Sequence, residues 1–315
     1  MHEPLRVLVY VRESSARYRE RLVDSKAAHY RFCESEQEVS DAIGSAEIIL
    51  GSIHFPAHLL PLAQQLRWIQ VTAAGVDQFL SRATLPSEVL LTRADISFGQ
   101  QLAEYVMGHL LSQSQQLATV RQLQLAHAWH PIAVESLKGQ TMGIAGTGSI
   151  GRIVAARAQA FGMRTLGLAT SSRSQSEFDA IYGTEDLHKF LPALDVLTLC
   201  LPLTDQTRDL IGARELALMK PTATLINVAR GEIVSEQALI HCLRAGELRS
   251  AILDVFNIEP LPPESPLWDL ERVTITSHHA GLNDPDEVID FFLQNLERFR
   301  QQHDLLGAVN RTRGY

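Results

Sequence analysis

The sequence predicts an α/β protein of two domains, each built on a parallel sheet. Three observations lead to this prediction. The chain has 315 residues, enough for two domains of ordinary size. Short apolar runs of strand length alternate with helical patterns along most of the chain, as in parallel sheets with crossover helices. A glycine-rich turn at 146–151 stands between one such run and a helical pattern.

The composition excludes several classes of protein. Hydrophobic residues make up 45% of the chain and charged residues 20%, as in soluble globular proteins. A net charge of -8 argues against nucleic-acid binding, which needs a basic surface. No apolar run has membrane-spanning length and the N-terminal residues show no signal-peptide pattern, so we expect no membrane partner and a cytoplasmic location. Cys33, Cys200 and Cys242 are widely spaced and are expected to be free, buried thiols.

The first α/β unit covers residues 1–98. Strands are expected at 5–11, 48–50, 66–71 and 89–91, with a helical segment at 59–65. The strand at 66–71 ends in small residues that include Ala74 and Gly75. Small residues at the carboxyl end of a parallel strand allow a ligand to bind backbone N–H groups, although a plain turn between strand and helix has the same pattern.

A single long helix is predicted at 102–128. The segment is rich in Leu, Ala and Gln, contains no proline, and has Gly108 as its only glycine. A helix of this length must bury its apolar residues, either inside its own chain or against a partner subunit.

The glycine-rich turn has the G-x-G-x-x-G spacing of a dinucleotide-binding fingerprint. Gly146, Gly148 and Gly151 follow an apolar run at 142–145 and open a helical pattern, and another run follows at 165–168. This context makes a weak motif specific. The first glycine allows the turn, the second lets the backbone approach a pyrophosphate, and the third brings the helix close to the strand. We therefore assign cofactor contacts to these glycines and to Ser149 and Ile150 at the helix start.

Further strands are expected at 196–201, 225–228, 251–255 and 273–276, with helices at 187–191, 236–245 and 285–302. Ligands of open α/β sheets bind beyond the carboxyl ends of the strands. We therefore add four residues of these strand ends to the cofactor contacts: Leu201, Pro202, Thr207 and Gly281.

Three of the strand ends each carry a side chain suited to chemistry, namely Arg230, Glu259 and His278. A histidine can supply a proton to a carbonyl oxygen near neutral pH, and a carboxylate beside it would orient it. An arginine can bind a carboxylate at two points. Together they suit reduction of a 2-keto acid by a nicotinamide cofactor. Taken singly, each pattern is more typical of a capping arginine, a solvated glutamate, or a histidine pair on the surface or in a metal site. Zinc is not expected, because no second cluster of Cys or His lies nearby.

Several segments in this order resemble the D-isomer-specific 2-hydroxyacid dehydrogenases, most closely the glyoxylate/hydroxypyruvate reductase branch. They are AAGVD at 73–77, LAEYV at 102–106, NVARG at 227–231, LDVFNIEPLPPESPLWDL at 253–270 and TITSHHAG at 274–281, together with the glycine fingerprint. The resemblance implies two Rossmann-like or flavodoxin-like domains with parallel sheets and a cleft between them. It places 1–98 with 284–315 in a substrate-binding domain and 99–283 in a dinucleotide-binding domain. It also implies a homodimer formed through the 102–128 region.

The resemblance further implies roles for individual residues. Arg230 matches the substrate-binding arginine, Glu259 the acid paired with the catalytic histidine, and His278 that histidine, which also contacts the cofactor. The backbone of Ala74 and Gly75 matches the site of the substrate carboxylate. Asp254 and the backbone of Val228 and Ala229 match the positions that hold the nicotinamide carboxamide. Where the family has Thr-Pro-His and an apolar residue, this chain has Ser277 before His278 and His279 after it, so a proline restraint is lost and His279 is a minor rival for the catalytic role.

The choice of nicotinamide cofactor depends on the end of the second strand. An NAD enzyme carries an acid there for the ribose hydroxyls, whereas this chain has Ser171, Ser172 and Arg173 and no acid before Glu177. A charge-assisted hydrogen bond contributes about 1.5–3 kcal/mol, and each ~1.4 kcal/mol is about tenfold in affinity. One contact from Arg173 to a 2′-phosphate would favour NADPH by roughly ten- to a hundredfold, whereas a solvated Arg173 would leave little preference. We expect NADP(H) to be preferred, with NAD(H) as a second cofactor.

These observations predict a reductase of glyoxylate, hydroxypyruvate or a related 2-keto acid. Residues 50–60, including His54 and Phe55, are expected to line the pocket for the substrate side chain. Two alternatives stay open: an NAD-dependent dehydrogenase acting on a 3-phosphoglycerate-like acid, and a non-catalytic, dinucleotide-sensing interaction protein with the same fold.

Overall fold

The computed structural model describes residues 4–12, 14–81, 85–94, 98–170, 174–281, 284–312 and 314. The chain divides into two compact units, Met1–Phe98 with Asn283–Tyr315, and Gly99–Leu282. Each unit is an α/β fold around one parallel sheet, which confirms the fold class predicted from the sequence.

The sheet of the first unit has five strands: β1 Arg6–Tyr10, β2 His29–Phe32, β3 Ile48–Gly51, β4 Trp68–Val71 and β5 Leu90–Arg93. Their order is β2-β1-β3-β4-β5, and all neighbours are parallel. This is the flavodoxin-like order. The central strands β3 and β4 are buried along their whole length, as expected where helices cover both faces.

The sheet of the second unit has seven strands: β6 Thr141–Ala145, β7 Arg164–Ala169, β8 Ala180–Gly183, β9 Val196–Leu199, β10 Thr224–Asn227, β11 Ser250–Leu253 and β12 Val273–Ile275. Their order is β12-β11-β10-β9-β6-β7-β8, again all parallel. This is the Rossmann order extended by one strand, and the strand order reverses between β6 and β9.

The helices are α1 Ser15–Ser25, α2 Glu36–Ala42, α3 Asp77–Ser81, α4 Phe98–Ser114, α5 Leu117–Leu125, α6 Ser149–Ala160, α7 Leu187–Phe190, α8 Ala213–Leu218, α9 Glu236–Ala245 and α10 Pro285–Arg300. Short 3₁₀ helices lie at Ile43–Ser45, Ala57–Leu62, Thr184–Asp186, Leu191–Ala193, Gly231–Ile233 and Pro266–Asp269. None of the helices in the described ranges is long and apolar enough to cross a membrane.

The final helix packs in the first unit, although it follows the second unit in sequence. The ring of Trp68 on β4 stacks on Phe292 and Phe299 of α10, with centroid distances of 5.4 and 5.5 Å. The buried amide of Asn295 on α10 donates to Gln70 Oε1 at 3.1 Å. Aromatic stacking and a satisfied buried amide fix α10 against the strand that leads to residues 72–76.

The prediction of one long helix at 102–128 is wrong. α4 ends at Ser114, α5 runs from Leu117 to Leu125, and Gln116 between them has a left-handed backbone with φ 49°. The carbonyl of Ser114 accepts from Glu135 N–H at 2.9 Å, and the Gln116 amide donates to Ala133 O. Tertiary hydrogen bonds to the 133–135 segment thus interrupt a sequence that has no helix-breaking residue at this point.

Smaller differences have local reasons. The predicted helical segment at 59–65 is a 3₁₀ helix at Ala57–Leu62, because Pro61 lies inside it and cannot donate a backbone hydrogen bond. The short edge strands β2 and β8 have mixed polar and apolar residues and were not predicted. The three cysteines are free thiols as predicted, with Cys33 and Cys242 buried and Cys200 partly exposed.

Candidate active site

The second unit brings together three predicted side chains at one edge of its sheet. Strands β10, β11 and β12 are parallel neighbours, so their carboxyl ends lie side by side. Arg230 follows β10, Glu259 follows β11 and His278 follows β12. The sheet topology therefore places an arginine, a carboxylate and an imidazole at adjacent strand ends, where ligands of such sheets bind.

His278 and Glu259 are in direct contact. Nδ1 of His278 lies 2.7 Å from Oε2 of Glu259, and the two side chains are 38% and 36% exposed. The other carboxylate oxygen, Oε1, accepts the N–H of Phe256 at 2.9 Å. Both Glu259 oxygens are thus held, and the peptide bond from Glu259 to Pro260 is cis. Both side chains of the pair are therefore partly accessible to solvent, and the glutamate is further held by its hydrogen bond with the Phe256 N–H.

The electrostatics of Glu259 determine the tautomer of His278. Burial raises the pKa of Glu259, but hydrogen bonds from His278 and the Phe256 N–H, with the positive charges of His278 and Arg230, bring the pKa below its ordinary value. An ionised carboxylate is an acceptor only. Nδ1 of His278 therefore carries the hydrogen that Glu259 accepts, and Nε2 is the ring nitrogen that can exchange a proton with a ligand.

The backbone of His278 adopts an unusual conformation. Its φ is 53°, in the left-handed region that few residues other than glycine, asparagine, aspartate and histidine enter. The His278 N–H donates to the backbone carbonyl of Asp254 at 2.9 Å. Such a conformation persists where surrounding contacts hold it.

The carboxylate of Asp254 holds the residues on either side of His278. It is almost completely buried, accepting Thr276 Oγ1 and His279 N–H on Oδ1 at 2.6 and 3.0 Å, and Ala280 N–H on Oδ2 at 2.9 Å. Asp254 was predicted to hold the nicotinamide carboxamide. In this structure its carboxylate organises the loop that carries His278, a role that the sequence did not indicate.

A second set of contacts holds the turn that carries Arg230. The buried side chain of Asn227 donates to Arg230 O at 2.9 Å and accepts Ala229 N–H at 3.1 Å, while Arg230 Nη1 donates to Ala229 O at 2.7 Å. A Cβ on Gly231 would lie 2.0 Å from the Phe256 carbonyl carbon. The Arg230 turn therefore packs directly on the backbone that leads to Glu259. Asn227 was missed by sequence reasoning, although an asparagine at the start of a turn is a recognisable local signal.

The glycine fingerprint forms a cradle where the strand order reverses, between β6 and β9. Gly146 has φ 101°, and a Cβ there would lie 2.5 Å from Cys200 O. A Cβ on Gly151 would lie 1.9 Å from Gly146 O, so α6 can approach the turn this closely only with glycine. Among the described residues, none has an atom within 4 Å of a Cβ on Gly148, which caps α6. The first turn of α6, with Ser149 and Ile150, directs backbone N–H groups towards this open space, which fits a pyrophosphate.

The other predicted cofactor contacts lie at the carboxyl ends of neighbouring strands. Leu201 and Pro202 follow β9, and the hydroxyl of Thr207 donates to Pro202 O at 2.7 Å and closes that loop on itself. Val228 and Ala229 follow β10, and Gly281 follows the loop of His278. Ser171, Ser172 and Arg173 lie outside the described residues. Ala74 and Gly75 lie in the first unit, in the half-exposed turn after β4.

Among the residues that the structure describes, no group of three or more His, Cys, Asp or Glu side chains could hold a metal ion. A turn that admits a pyrophosphate, on the same sheet edge as a paired histidine and carboxylate, instead suits the NAD(P)-dependent oxidoreductases.

Comparisons with known proteins narrow this class. The model of the family described as D-isomer specific 2-hydroxyacid dehydrogenase, NAD binding domain, matches residues 107–280. Glyoxylate/hydroxypyruvate reductase A of Klebsiella pneumoniae (strain 342) is 33% identical over 268 residues, covering 83% of this chain and 86% of that protein.

Solved structures similar to this chain belong to the same family. A D-isomer specific 2-hydroxyacid dehydrogenase family protein from Aeromonas salmonicida is 36% identical with a TM-score of 0.89, covering 97% of this chain and 99% of that one. The NADPH-dependent glyoxylate/hydroxypyruvate reductase of Sinorhizobium meliloti, solved with NADP and sulfate, is 26% identical with a TM-score of 0.88, covering 99% and 100%. The chain belongs to the D-isomer specific 2-hydroxyacid dehydrogenase family and is an NAD(P)-dependent oxidoreductase, which confirms the resemblance stated from the sequence.

Proposed function

We propose that this protein reduces glyoxylate, hydroxypyruvate or a closely related small 2-keto acid, with NADPH as the preferred reductant. The observation that carries the proposal is the 2.7 Å contact between His278 and Glu259 beside the turn of Arg230. The relatives named above, from Klebsiella pneumoniae and Sinorhizobium meliloti, are glyoxylate/hydroxypyruvate reductases. Their chemistry needs a proton donor of this kind, because negative charge develops on the carbonyl oxygen as the carbonyl carbon accepts a hydride.

The bound nicotinamide would supply the hydride, which adds to C2 of the keto acid. Protonated His278 donates the proton on Nε2 to the carbonyl oxygen, and the product is the 2-hydroxy acid. The guanidinium of Arg230 binds the substrate carboxylate and polarises the neighbouring carbonyl. The family resemblance also assigns the backbone N–H groups of Ala74 and Gly75 to the substrate carboxylate.

Glu259 has two functions in this proposal. It accepts the Nδ1 hydrogen and so orients the ring, and its negative charge stabilises the imidazolium before the proton is transferred. Since the pKa of Glu259 lies below its ordinary value, the carboxylate is ionised at the near-neutral pH at which a histidine can donate a proton. In the reverse reaction neutral His278 accepts the proton from the hydroxyl group.

The residues that would hold the cofactor belong to the turn after β6 and the neighbouring strand ends. The N–H groups at the start of α6 would bind the pyrophosphate, and the backbone of Val228 and Ala229 would lie near the nicotinamide, with Leu201, Pro202, Thr207, Asp254 and Gly281 around it. The preference for NADPH rests on Arg173 and the neighbouring serines, and on the absence of an acid at the end of β7 in the sequence. The Sinorhizobium meliloti relative is NADPH-dependent, which supports this preference.

We further propose a homodimer formed through the 102–128 region. In the described structure α5 and the segment after it expose apolar side chains, among them Trp129 at 97% exposure. The others are Leu117, Val120, Leu125 and Val134. Contiguous exposed apolar side chains are typical of a surface that a partner covers. A cytoplasmic location is also part of this proposal.

The two alternatives make different predictions. An NAD-dependent dehydrogenase of a phosphorylated hydroxy acid would prefer NADH and a larger substrate. A dinucleotide-sensing protein would bind NADPH and turn over no acid. The arginine, glutamate and histidine are all present, and the contact of Glu259 with His278 favours an enzyme.

The test follows the consumption of NADPH and NADH by the purified protein over a panel of 2-keto acids. The proposal expects rapid NADPH consumption with glyoxylate or hydroxypyruvate and slower consumption of NADH. Turnover restricted to NADH and a phosphorylated keto acid would establish the first alternative. Tight NADPH binding with no turnover on any acid would establish the second.

A further inference from the structure

Two linked hydrogen bonds connect helix α4 to the loop of His278. They run from Tyr105 through Thr276 to Asp254 and are called the hydrogen-bonded chain below. The phenol oxygen of Tyr105, on α4, lies 2.7 Å from Thr276 Oγ1, across 171 residues of sequence. Thr276 Oγ1 in turn lies 2.6 Å from Oδ1 of Asp254. This hydrogen-bonded chain therefore links Tyr105 to the carboxylate that accepts the N–H groups of His279 and Ala280, directly after His278.

The number of hydroxyl hydrogens determines which residue donates in each of these two hydrogen bonds. Thr276 has one hydroxyl hydrogen, and it donates that hydrogen to Asp254 because a carboxylate can only accept. The contact between Thr276 and Tyr105 must then use the phenol hydrogen. Tyr105 donates to Thr276, and Thr276 donates to Asp254. Two hydrogen bonds in one direction polarise each other and strengthen the chain.

The surroundings of Tyr105 keep that hydrogen in place. Burial raises the pKa of Tyr105 to about 12, an effect reinforced by the charge of Asp254 and partly offset by the hydrogen bond with Thr276. Its ring packs against His109, with centroids 4.3 Å apart, and meets the ring of His279 edge-on at 6.1 Å. Burial, with the charge of His279, lowers the pKa of His109, although Asp254 acts against this shift. The phenol therefore stays a donor over the pH range of an assay.

We propose that Tyr105 is a positioning residue for His278, acting through Thr276 and Asp254. Asp254 accepts the N–H of His278 on its backbone carbonyl and the N–H groups of His279 and Ala280 on its carboxylate. These hydrogen bonds hold the left-handed backbone of His278. This inference rests on the proposed role of His278 as the proton donor.

The test removes the phenol oxygen and keeps the ring, in Tyr105→Phe. Losing one buried hydrogen bond of this kind is expected to lower kcat for 2-keto acid reduction by roughly three- to tenfold. The KM and Kd for NADPH should stay unchanged, because the hydrogen bond of Tyr105 is made to the loop of His278 and not to a residue of the glycine turn. The loss should be equal at all pH values between about 6 and 9, since the phenol does not titrate there. Tyr30→Phe is the matched control, because Tyr30 also shares a hydrogen bond with a hydroxyl, that of Ser25 at 3.1 Å, in the first unit.

Variants of the middle residue separate positioning from packing. Thr276→Val keeps the shape of the side chain and removes the hydroxyl, so it should lower kcat at least as much as Tyr105→Phe. Thr276→Ser keeps the hydroxyl and should have a kcat close to that of the unchanged protein. The double variant Tyr105→Phe with Thr276→Val should be no slower than Thr276→Val alone, because both act through one chain.

The outcomes are distinguishable from failure of the proposed function, which would show as no turnover of any 2-keto acid by the unchanged protein, or as full activity in His278→Asn. If His278→Asn is inactive and Tyr105→Phe has the kcat of the unchanged protein, the inference is overturned. It is also overturned if Tyr105→Phe raises the KM for NADPH at constant kcat, or if the losses of Tyr105→Phe and Thr276→Val simply multiply.

Discussion

Nδ1 of His278 lies 2.7 Å from Oε2 of Glu259, and this contact leaves Nε2 as the ring nitrogen that could exchange a proton with a ligand. The first prediction concerns this pair. Glu259→Gln keeps the size of the side chain but removes the charge that stabilises the imidazolium. Reduction near pH 7 should fall by roughly ten- to a hundredfold, and the alkaline fall-off should move to lower pH.

The measurement is kcat/KM for reduction as a function of pH. Because the pKa of Glu259 lies below its ordinary value, the unchanged protein keeps the carboxylate ionised in mild acid, so the effect of removing its charge can be followed from about pH 5 upwards. Glu264→Gln, an exposed glutamate in the same proline-rich loop, is the control and should have no effect. A Glu259→Gln profile that overlays that of the unchanged protein would exclude this role.

The second prediction concerns the packing of the Arg230 turn on the Glu259 loop. In Gly231→Ala the new Cβ would meet the Phe256 carbonyl carbon at 2.0 Å, so one of the two loops must move. Activity should fall at least tenfold and the midpoint of thermal unfolding should drop by several degrees. Gly44→Ala is the control, since its Cβ would meet only Leu62 O at 3.7 Å. Equal effects of the two variants on activity would contradict the packing argument.

The third prediction tests the source of the NADPH preference. Arg173→Ala should lower the ratio of kcat/KM for NADPH over NADH by roughly ten- to a hundredfold, because one charge-assisted hydrogen bond to the 2′-phosphate is lost. Arg164→Ala removes the same charge at the other, exposed end of β7 and should leave the ratio unchanged. An unchanged ratio in Arg173→Ala would move the determinant of cofactor choice elsewhere.

The fourth prediction tests the homodimer. The unchanged protein should have twice the 35.0 kDa chain mass in light scattering. Leu125→Asp or Trp129→Asp places a charge in the proposed interface, so either variant should shift the mass towards that of the monomer. Val23→Asp, at an exposed apolar position of α1, should leave the mass unchanged. A monomeric unchanged protein would contradict the proposal directly.

The predictable parts of this fold have local causes. Gly151 is required by a steric contact with Gly146 O, only a few residues before it, and Gly146 by its own positive φ of 101°, and both glycines are visible as a pattern in the sequence. Arg230, Glu259 and His278 stand at ends of apolar runs, so parallel topology alone was enough to expect them at one edge of the sheet. The family resemblance carried the rest of the site, including the pairing of Glu259 with His278.

The unpredicted parts depend on contacts between distant segments. Hydrogen bonds to residues 133–135 interrupt the helix at Gln116, and no helix-breaking residue at this point of the sequence predicts the interruption. The contact of Tyr105 with Thr276 spans 171 residues. Asp254 was assigned from the family to the cofactor, yet its carboxylate holds the loop of His278, which only the three-dimensional arrangement reveals.

The final prediction tests the role of His278 as the proton donor. His278→Asn is the sharpest variant, because asparagine also tolerates the left-handed backbone at φ 53° and should leave the loop in place. The measurement is the rate of 2-keto acid reduction by NADPH, and of the reverse oxidation, from about pH 5 to about pH 10. In the unchanged protein reduction should weaken and oxidation strengthen as pH rises, and His278→Asn should lose roughly a hundred- to ten-thousandfold in both directions with NADPH affinity intact. A variant that binds NADPH normally and keeps the full rate would contradict the account, as would rates independent of pH in both directions when the chemical step is limiting.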